Sequence, residues 1–406
     1  MRALLFWLSA AVVLLCGLAV ADRSVPDFWT AIDRIERREL SYRRSHRPRS
    51  SHHRKRDSHS HVGVNASDGR ALMHRRSDDG IHEDQLVRRD TTGSPSSAKC
   101  NRPVGRVSWF SLSGSEKTSW MDHFNLLATT KGKSMFVEGG TFLDDLAIVH
   151  IGMQRELHYN ACFLPCHAAL LRAFYSMMRL LGYRGREAYW PLDQDAAAVG
   201  GIPASQLWND FGGDDGQGGP IPSGRFKGLV CGVLPDLQQV GRSIYKPHYV
   251  TRYFNDNWHR QPLQKGDMYS SLLQSELFDN ILSQTDYTVF RQRLERTVHA
   301  YVHQAMGGEM WLFSAVCEPT FWLLHAEIDR IWRTWQTKQN TWTAYNGHSR
   351  IVDDSGNYQV VTAALDNTID FYHLFVPIKV QDVMWPRKGI LCYRYDNLYG
   401  GLPDSS

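Results

Sequence analysis

From residue 100 onwards, apolar positions recur every three to four residues, which predicts a mainly α-helical domain. One apolar stripe contains Ile328, Ile331, Trp332 and Trp335. Another follows Pro165 and contains Leu170, Leu171, Phe174, Met177, Met178 and Leu181. Each stripe indicates a helix with one buried face, and strands should be few and short.

Local signals mark where two of these helices begin. Ser113 precedes Glu116 by three positions, which is the spacing of a capping box, and apolar residues come after it. Pro319 suits the first turn of the helix that carries the Ile328 stripe. Residues 197–290 are rich in Gly and Pro, and they predict long loops with a few short helices.

The first 21 residues have the pattern of a secretory signal peptide. Met1-Arg2 leads into an apolar run that ends at the small-residue site Ala19-Val20-Ala21. A membrane anchor is the alternative, but the position at the extreme N-terminus and the cleavage-like end favour a signal. The protein is therefore expected to be secreted, with no stable membrane insertion once the signal is removed.

Residues 22–99 differ in composition from residues 100–406, being rich in Ser, Arg and His. They hold 17 Lys and Arg against 12 Asp and Glu, whereas residues 100–406 hold 28 against 30. The segment predicts a basic, disordered region or propeptide. An anionic surface polymer is a possible partner, and nucleic acid is not expected for a secreted chain.

Three basic clusters in this segment resemble processing sites, and they predict a protease that cuts after Arg56, Arg76 or Arg89. The segment also contains a glycosylation sequon at Asn65. Residues 100–406 are long enough for one large domain with its own core.

Candidate metal chemistry begins with His299 and His303. They are four residues apart, so on a helix both project from one face and can hold one metal ion. His325 comes 22 residues after His303 on the next predicted helix. Three imidazoles suit zinc, copper, iron or nickel, so the ligand type alone leaves the metal open.

The residues around these histidines resemble the second copper motif of the tyrosinase family, the type 3 copper phenol oxidases and their haemocyanin relatives. They comprise the His299-x-x-x-His303 pair, Gly307-Gly308 and the string EPTFWLLHAEIDRIWRTWQ. The stretch FLDDLAIVHIGMQRELHYNACFLPCHAALL is similar to the first copper motif. The resemblance runs from about residue 100 to Tyr399.

This resemblance implies a four-helix bundle around two copper ions. The implied ligands are His150, His158 and His167 for the first ion, and His299, His303 and His325 for the second. His123 is an alternative to His150. The implied substrates are dioxygen and a small phenolic compound, which would be oxidised to an ortho-quinone in a pocket rimmed by residues 197–290.

The resemblance also suggests two catalytic residues. Glu295 matches a glutamate that holds a water and helps to take the phenol proton; an ordinary pairing with Arg291 or His299 is the alternative. Phe321 matches a ring that gates the second copper, with plain core packing as the alternative.

Departures from the family pattern qualify the implied activity. Cys166, Ala168 and Leu324 stand where bulky, charged and histidine residues are usual, and Ala300 stands where monophenol-hydroxylating members often have Asn. Oxidation of catechols or aminophenols is therefore expected more than monophenol hydroxylation. The alternatives are an oxygen- or copper-binding protein of the haemocyanin type and a degenerate tyrosinase-like protein.

Six cysteines lie beyond the predicted signal peptide, an even number that permits three disulfides in an oxidising compartment. Cys100 and Cys392 lie at the two ends of the domain and are expected to pair. Cys162 and Cys166 are interpreted as possible free thiols. Asp329 and Arg330 predict a structural ion pair, and a surface or structural role is expected for four other histidines: His248, His259, His348 and His373.

Overall fold

A computed structural model describes residues 63–64, 100–236, 238–254, 266–352 and 358–404. The predicted signal peptide, the predicted cleavage sites and the sequon at Asn65 lie outside these residues. Among the described residues, no helix combines the length and the apolar character needed to cross a bilayer.

The described chain is mainly helical, as the apolar periodicity predicts. Its α-helices are α1 (Gly114–Thr129), α2 (Phe142–Gly152), α3 (Gln154–Leu157), α4 (Phe163–Leu180), α5 (Leu192–Ala197), α6 (Leu207–Phe211), α7 (Ser275–Leu282), α8 (Tyr287–Leu294), α9 (Ala300–Met306) and α10 (Pro319–Gln339). A π-helical turn, Glu295–His299, joins α8 to α9. The 3₁₀ helices are Trp109–Ser111, Ile202–Ala204, Gly308–Trp311, Ala315–Cys317, Val380–Val383 and Tyr399–Gly401.

The strands are short and form four small sheets. They are β1 (Gly63–Val64), β2 (Val104–Ser108), β3 (Glu187–Tyr189), β4 (Val230–Pro235), β5 (Ser243–Tyr249), β6 (His348–Val352), β7 (Tyr358–Thr362), β8 (Thr368–Ile369), β9 (Ile378–Lys379) and β10 (Tyr393–Tyr395). The sheet orders are β1-β5-β4, β10-β2-β3, β6-β7 and β8-β9. Of these four sheets, the β10-β2-β3 sheet is parallel.

Helix α10 is the centre of the core, because every residue from Pro319 to Gln336 is buried. Its Trp322 stacks on Phe174 of α4 with ring centroids 3.9 Å apart. Its Trp335 stacks on Phe290 of α8 at 4.6 Å. Such aromatic pairs add about 0.5–1.5 kcal/mol each beyond their buried area. The helix that carries His325 is therefore held from two sides, although the predicted four-helix bundle stays a prediction.

Buried ion pairs connect α10 to the parallel sheet. The sheet register places Arg106 opposite both Glu187 and Tyr395. Arg106 pairs with Glu187 at 2.7 Å and with Asp329 of α10 at 2.9 Å. The predicted pairing of Asp329 with Arg330 is wrong. Adjacent helix residues point in different directions, so Asp329 instead pairs with Arg106 and Arg333, and Arg330 with Glu327 three positions earlier.

Three disulfides link the six cysteines. The expected Cys100–Cys392 bond is present and joins the ends of the domain. The interpretation of Cys162 and Cys166 as free thiols is wrong, because they pair with each other at the start of α4. Their Cα atoms are 5.2 Å apart, which lies within the normal range for a disulfide. Cys231 and Cys317 form the third bond.

The predicted capping box at the start of α1 is confirmed. The Ser113 hydroxyl accepts a hydrogen bond from the Glu116 backbone N–H, and the Ser113 N–H donates to the Glu116 carboxylate at 2.9 Å. We expect Ser113→Ala to lower the free energy of unfolding by about 1 kcal/mol, measured by urea unfolding. Thr118→Ala, at an exposed position of the same helix, should not lower it. Equal stability of the wild type and Ser113→Ala would contradict the capping role.

Candidate metal centre

The first histidine group consists of His150, His158 and His167. His150 lies in the last turn of α2, His158 comes directly after α3, and His167 lies near the start of α4. One ring nitrogen of each lies within 4.8 Å of those of the other two. His123 is not part of either histidine group. Its ring is instead against Tyr183, and its Nδ1 lies 2.7 Å from the Ser119 carbonyl oxygen.

The second histidine group consists of His299, His303 and His325, and its ring nitrogens also lie within 4.8 Å of one another. His299 ends the π-helical turn, His303 lies on α9, and His325 lies on α10. The rings of His299 and His303 have centroids 4.5 Å apart, so the four-residue spacing does place them on one face.

The two histidine groups face each other across a shared space. The rings of His167 and His325 are stacked, with centroids 4.3 Å apart and an interplanar angle of 9°. The rings of His158 and His299 are also stacked, at 5.9 Å. Two metal ions held by these groups would therefore be close neighbours.

Backbone carbonyls orient five of the six imidazoles. The Nδ1 atoms of His150, His158, His167, His299 and His303 lie 2.6–3.3 Å from carbonyl oxygens of Phe313, Gln154, Phe163, Glu295 and Met310. Because a carbonyl only accepts, each Nδ1 must carry the hydrogen, which leaves Nε2 as the free lone pair.

The Nε2 atoms of five group members are buried and have no hydrogen-bond partner among the described residues: His150, His167, His299, His303 and His325. A buried polar atom without a partner is costly, and metal coordination is one way to satisfy it. The donor set therefore fits transition-metal ions.

Burial also keeps these imidazoles neutral, as metal ligation requires. It lowers the pKa of His150 and His303 to about 4 and that of His167 to about 3. Burial likewise brings the pKa of the other three histidines, His158, His299 and His325, well below the usual value.

Glu295 lies beside the histidine groups, but both of its oxygens have partners. One oxygen accepts the backbone N–H of Tyr159 at 2.6 Å, and the other accepts from Arg291 at 2.8 Å. Burial raises the pKa of Glu295. Tyr159 has a φ of 58° and directly follows His158, so the hydrogen bond that its N–H donates to Glu295 holds an unfavourable backbone conformation beside that histidine.

Phe321 is completely buried and contacts members of both histidine groups. Its ring centroid is 4.1 Å from that of His325 and 5.2 Å from that of His150. Phe313, which sequence reasoning did not single out, is 38% exposed and its ring is 6.0 Å from that of His158. Phe313 therefore reaches solvent beside an imidazole, whereas the Phe321 ring is enclosed.

Of the histidines assigned no role, His248 contacts Glu309 at 2.9 Å and His373 is half exposed beside Asp370. His348 lies on β6, and His259 lies outside the described residues. Surface or structural positions were expected for them, and the positions of His248 and His373 agree.

The mainly helical chain brings six imidazoles together in two facing groups of three, and each group could hold a metal ion. Residues 141–338 match the common central domain of tyrosinase. This match supports assigning the chain to the tyrosinase family, which is a type 3 dinuclear copper family.

Two curated fungal relatives are similar over most of their length. The tyrosinase-like protein phomQ2 of Diaporthe leptostromiformis is 27% identical over 303 residues, which cover 73% of this chain and 74% of the relative. Tyrosinase ustQ of Aspergillus flavus is 28% identical over 299 residues, covering 73% and 80%.

A polyphenol oxidase from Thermothelomyces thermophila has a similar fold. Its structure matches with a TM-score of 0.54 at 21% identity, covering 72% of this chain and 88% of that one.

Proposed function

We propose that this protein binds one copper ion at each histidine group and oxidises phenolic compounds with dioxygen. The observation that carries the proposal is the set of five buried Nε2 atoms without partners among the described residues, on imidazoles whose Nδ1 atoms are already used or whose ring is enclosed. The match to the central domain of tyrosinase supports copper as the metal. When bound, copper supplies the redox chemistry that passes electrons from a phenolic ring to dioxygen.

The protein's own residues contribute orientation and protection from water in this proposal. The carbonyl bonds hold the imidazoles in one tautomer, and burial keeps them unprotonated. Phe321 is packed against members of both groups, while Phe313 and Tyr159 are partly exposed beside His158. A phenolic ring would reach the centre past these two aromatic side chains.

We further propose that catechols are better substrates than monophenols. Ala300 follows His299 and offers no polar side chain to orient a water, and both oxygens of Glu295 are engaged. Glu295 therefore acts mainly by holding the turn at Tyr159, and proton removal from a monophenol lacks a dedicated base. A catechol needs no ring hydroxylation, so its oxidation depends less on such a base.

Metal analysis and oxygen consumption test the proposed function. The full-length protein, loaded with copper, should bind two copper ions and convert a catechol to its ortho-quinone. Two bound ions without quinone formation would favour an oxygen- or copper-binding protein. No bound copper would indicate that Cys166, Ala168 and Leu324 mark a degenerate site.

A second prediction concerns the preference for catechols over monophenols. We expect kcat/KM for a catechol to exceed that for the matching monophenol by at least about 100-fold, because general-base assistance contributes about 10²–10⁴-fold. Ala300→Asn should narrow this ratio by adding a polar group next to His299. Equal rates on both substrates in the wild type would contradict the prediction, and a ratio unchanged in Ala300→Asn would assign the preference to Glu295 instead.

We also propose that the protein is secreted and that most or part of the segment 22–99 is removed by cleavage after Arg56, Arg76 or Arg89. The three disulfides suit an oxidising compartment, and the N-terminal apolar run suits a signal peptide. N-terminal sequencing of the secreted protein tests both points: a start after Arg56, Arg76 or Arg89 is expected, and a single start at Asp22 would exclude removal.

A further inference from the structure

One short segment, Gly307–Ser314, provides an acceptor for one histidine of each group. The Met310 carbonyl oxygen lies 2.6 Å from Nδ1 of His303 in the second group. The Phe313 carbonyl oxygen lies 2.6 Å from Nδ1 of His150 in the first group. The position of the 307–314 segment therefore sets the direction of two imidazoles that belong to different metal positions.

Glu309 is the polar residue that holds this segment together. Its side chain is 1% exposed, and it accepts hydrogen bonds from His248 Nε2 at 2.9 Å and from the Ser314 hydroxyl. Its backbone N–H donates to the Thr251 carbonyl at 2.9 Å. Glu309 thus connects the far end of the segment, at Ser314, to strand β5, which carries His248.

His248 is suited to this role because both of its ring nitrogens face acceptors. Nε2 faces the Glu309 carboxylate, and Nδ1 lies 3.1 Å from the Lys246 carbonyl. Burial by itself lowers the pKa of His248, but the hydrogen bond and charge of Glu309 outweigh it, so the pKa is raised. The carboxylate of Glu309 is therefore paired with a histidine whose charged form is favoured.

The segment also lies directly against the chain that follows β5. Gly307 and Gly308 have φ values of 57° and 51°, and a Cβ on Gly308 would lie 2.2 Å from the Thr251 carbonyl oxygen. Just after the segment, the Cys231–Cys317 disulfide ties it to β4, and Glu318 forms a buried pair with Arg252 at 2.7 Å. These attachments restrict the segment at both ends, and Glu309 supplies the connection between them.

A metal site at Glu309 and His248 would be an alternative to this structural role, but the state of Cys231 excludes it. Cys231, His248 and Glu309 each have a potential ligand atom within 4.8 Å of the other two. The sulfur of Cys231 is bonded to Cys317, so it is not a thiolate and cannot act as a metal ligand of the usual kind.

We propose that Glu309 is a positioning residue for both histidine groups, acting by holding the Met310 and Phe313 carbonyls against His303 and His150. The proposal rests on the proposed copper function, since it assigns the directions of two proposed ligands. Loss of the Glu309 carboxylate removes the acceptor of two hydrogen bonds, those from the Ser314 hydroxyl and from His248 Nε2, and so loosens the segment between its two attached ends. Both carbonyl acceptors then move, and both metal positions weaken together.

Copper release to a chelator tests this positioning role. Glu309→Ala should release copper about 10–100-fold faster than the wild type, as expected for loss of a group that orients metal ligands. Both ions should be affected, and the visible spectrum of the copper-loaded protein should change. Glu309→Gln, which keeps an acceptor for Ser314 and has a similar shape, should restore release close to the wild-type rate.

Glu187→Ala is the matched control, because Glu187 is also buried and paired with two arginines, but it contacts neither histidine group. It should reduce thermal stability and leave copper release unchanged. Equal release rates in Glu309→Ala and the wild type would overturn the proposal, as would equally fast release in Glu187→Ala.

Hydrogen exchange on the copper-free protein separates this inference from the proposed function. In Glu309→Ala, peptides covering residues 307–314 should exchange faster than in the wild type, while α10 should keep its protection. If the wild type binds no copper, the proposed function fails, but faster exchange confined to 307–314 would still support the holding role of Glu309. Unchanged exchange in this segment would overturn it.

Discussion

His303→Ala is expected to abolish catechol oxidation by the copper-loaded protein and to lower its copper content from two ions per chain to one. The second histidine group would keep only His299 and His325, which leaves the metal without its third imidazole. The first group has its own ligands and acceptors, so it should still bind. Loss of one position is enough to stop the reaction, because the proposed chemistry needs both ions side by side.

Metal analysis, oxygen consumption and circular dichroism check this prediction together. His373→Ala is the control: its imidazole is half exposed, pairs only weakly with Asp370 at 3.5 Å, and belongs to neither histidine group. That variant should keep both copper ions and full activity. A folded His303→Ala protein that still bound two ions and still oxidised catechol would show that the second group is not the metal position.

The second histidine group could be predicted from the sequence, because the positions of side chains around a helix depend only on their spacing along the chain. A four-residue interval places His299 and His303 on one face of any helix, and an apolar stripe places His325 on a buried one. The structure brings these residues together as that reasoning expects. The capping box at Ser113 was predictable for the same reason, since it depends on positions only three apart.

The features that could not be predicted from the sequence depend on contacts between distant segments or on backbone atoms. Asp329 pairs with Arg106, which is 223 residues away, and no local pattern identifies that partner. The Met310 and Phe313 carbonyls have no residue signature, because every residue carries one. In the sequence, nothing distinguishes Glu309 from other acidic residues, because its partner His248 is 61 residues away. The Cys162–Cys166 bond is local in sequence, and it forms because Cys162 precedes the first turn of α4, where the backbone can bring it close to Cys166.

Acid should destabilise the copper-free protein through the histidines of its two groups, and the partly buried His303 is the test case. Burial lowers the pKa of His303 to about 4, whereas a histidine in an unfolded chain titrates at about 6.5. Between these values the unfolded chain binds a proton that the folded chain does not. The free energy of unfolding therefore falls as the pH drops through this window, and above about pH 6.5 this residue adds no pH dependence.

Other buried groups act in the opposite direction in the same protein. Burial raises the pKa of Asp145 and Glu156 to about 7, so each binds a proton in the folded state before it does so in the unfolded chain. Their contribution to stability increases as the pH falls below 7. The pH dependence of the wild type alone therefore mixes both signs, and only a comparison between variants isolates one histidine.

The comparison is urea unfolding of copper-free wild type and His303→Ala at pH 7 and pH 5. From pH 7 to pH 5, the free energy of unfolding of the wild type should fall by about 2 kcal/mol more than that of the variant. One histidine contributes up to about 1.4 kcal/mol per pH unit between its folded and unfolded pKa values. His373→Ala, altered at an exposed ring, should follow the wild type. If the free energy of unfolding fell by the same amount in the wild type and in His303→Ala, His303 would already be protonated in the folded protein at pH 5. A charged imidazole cannot bind copper, so that result would also count against the second histidine group as a preformed metal site.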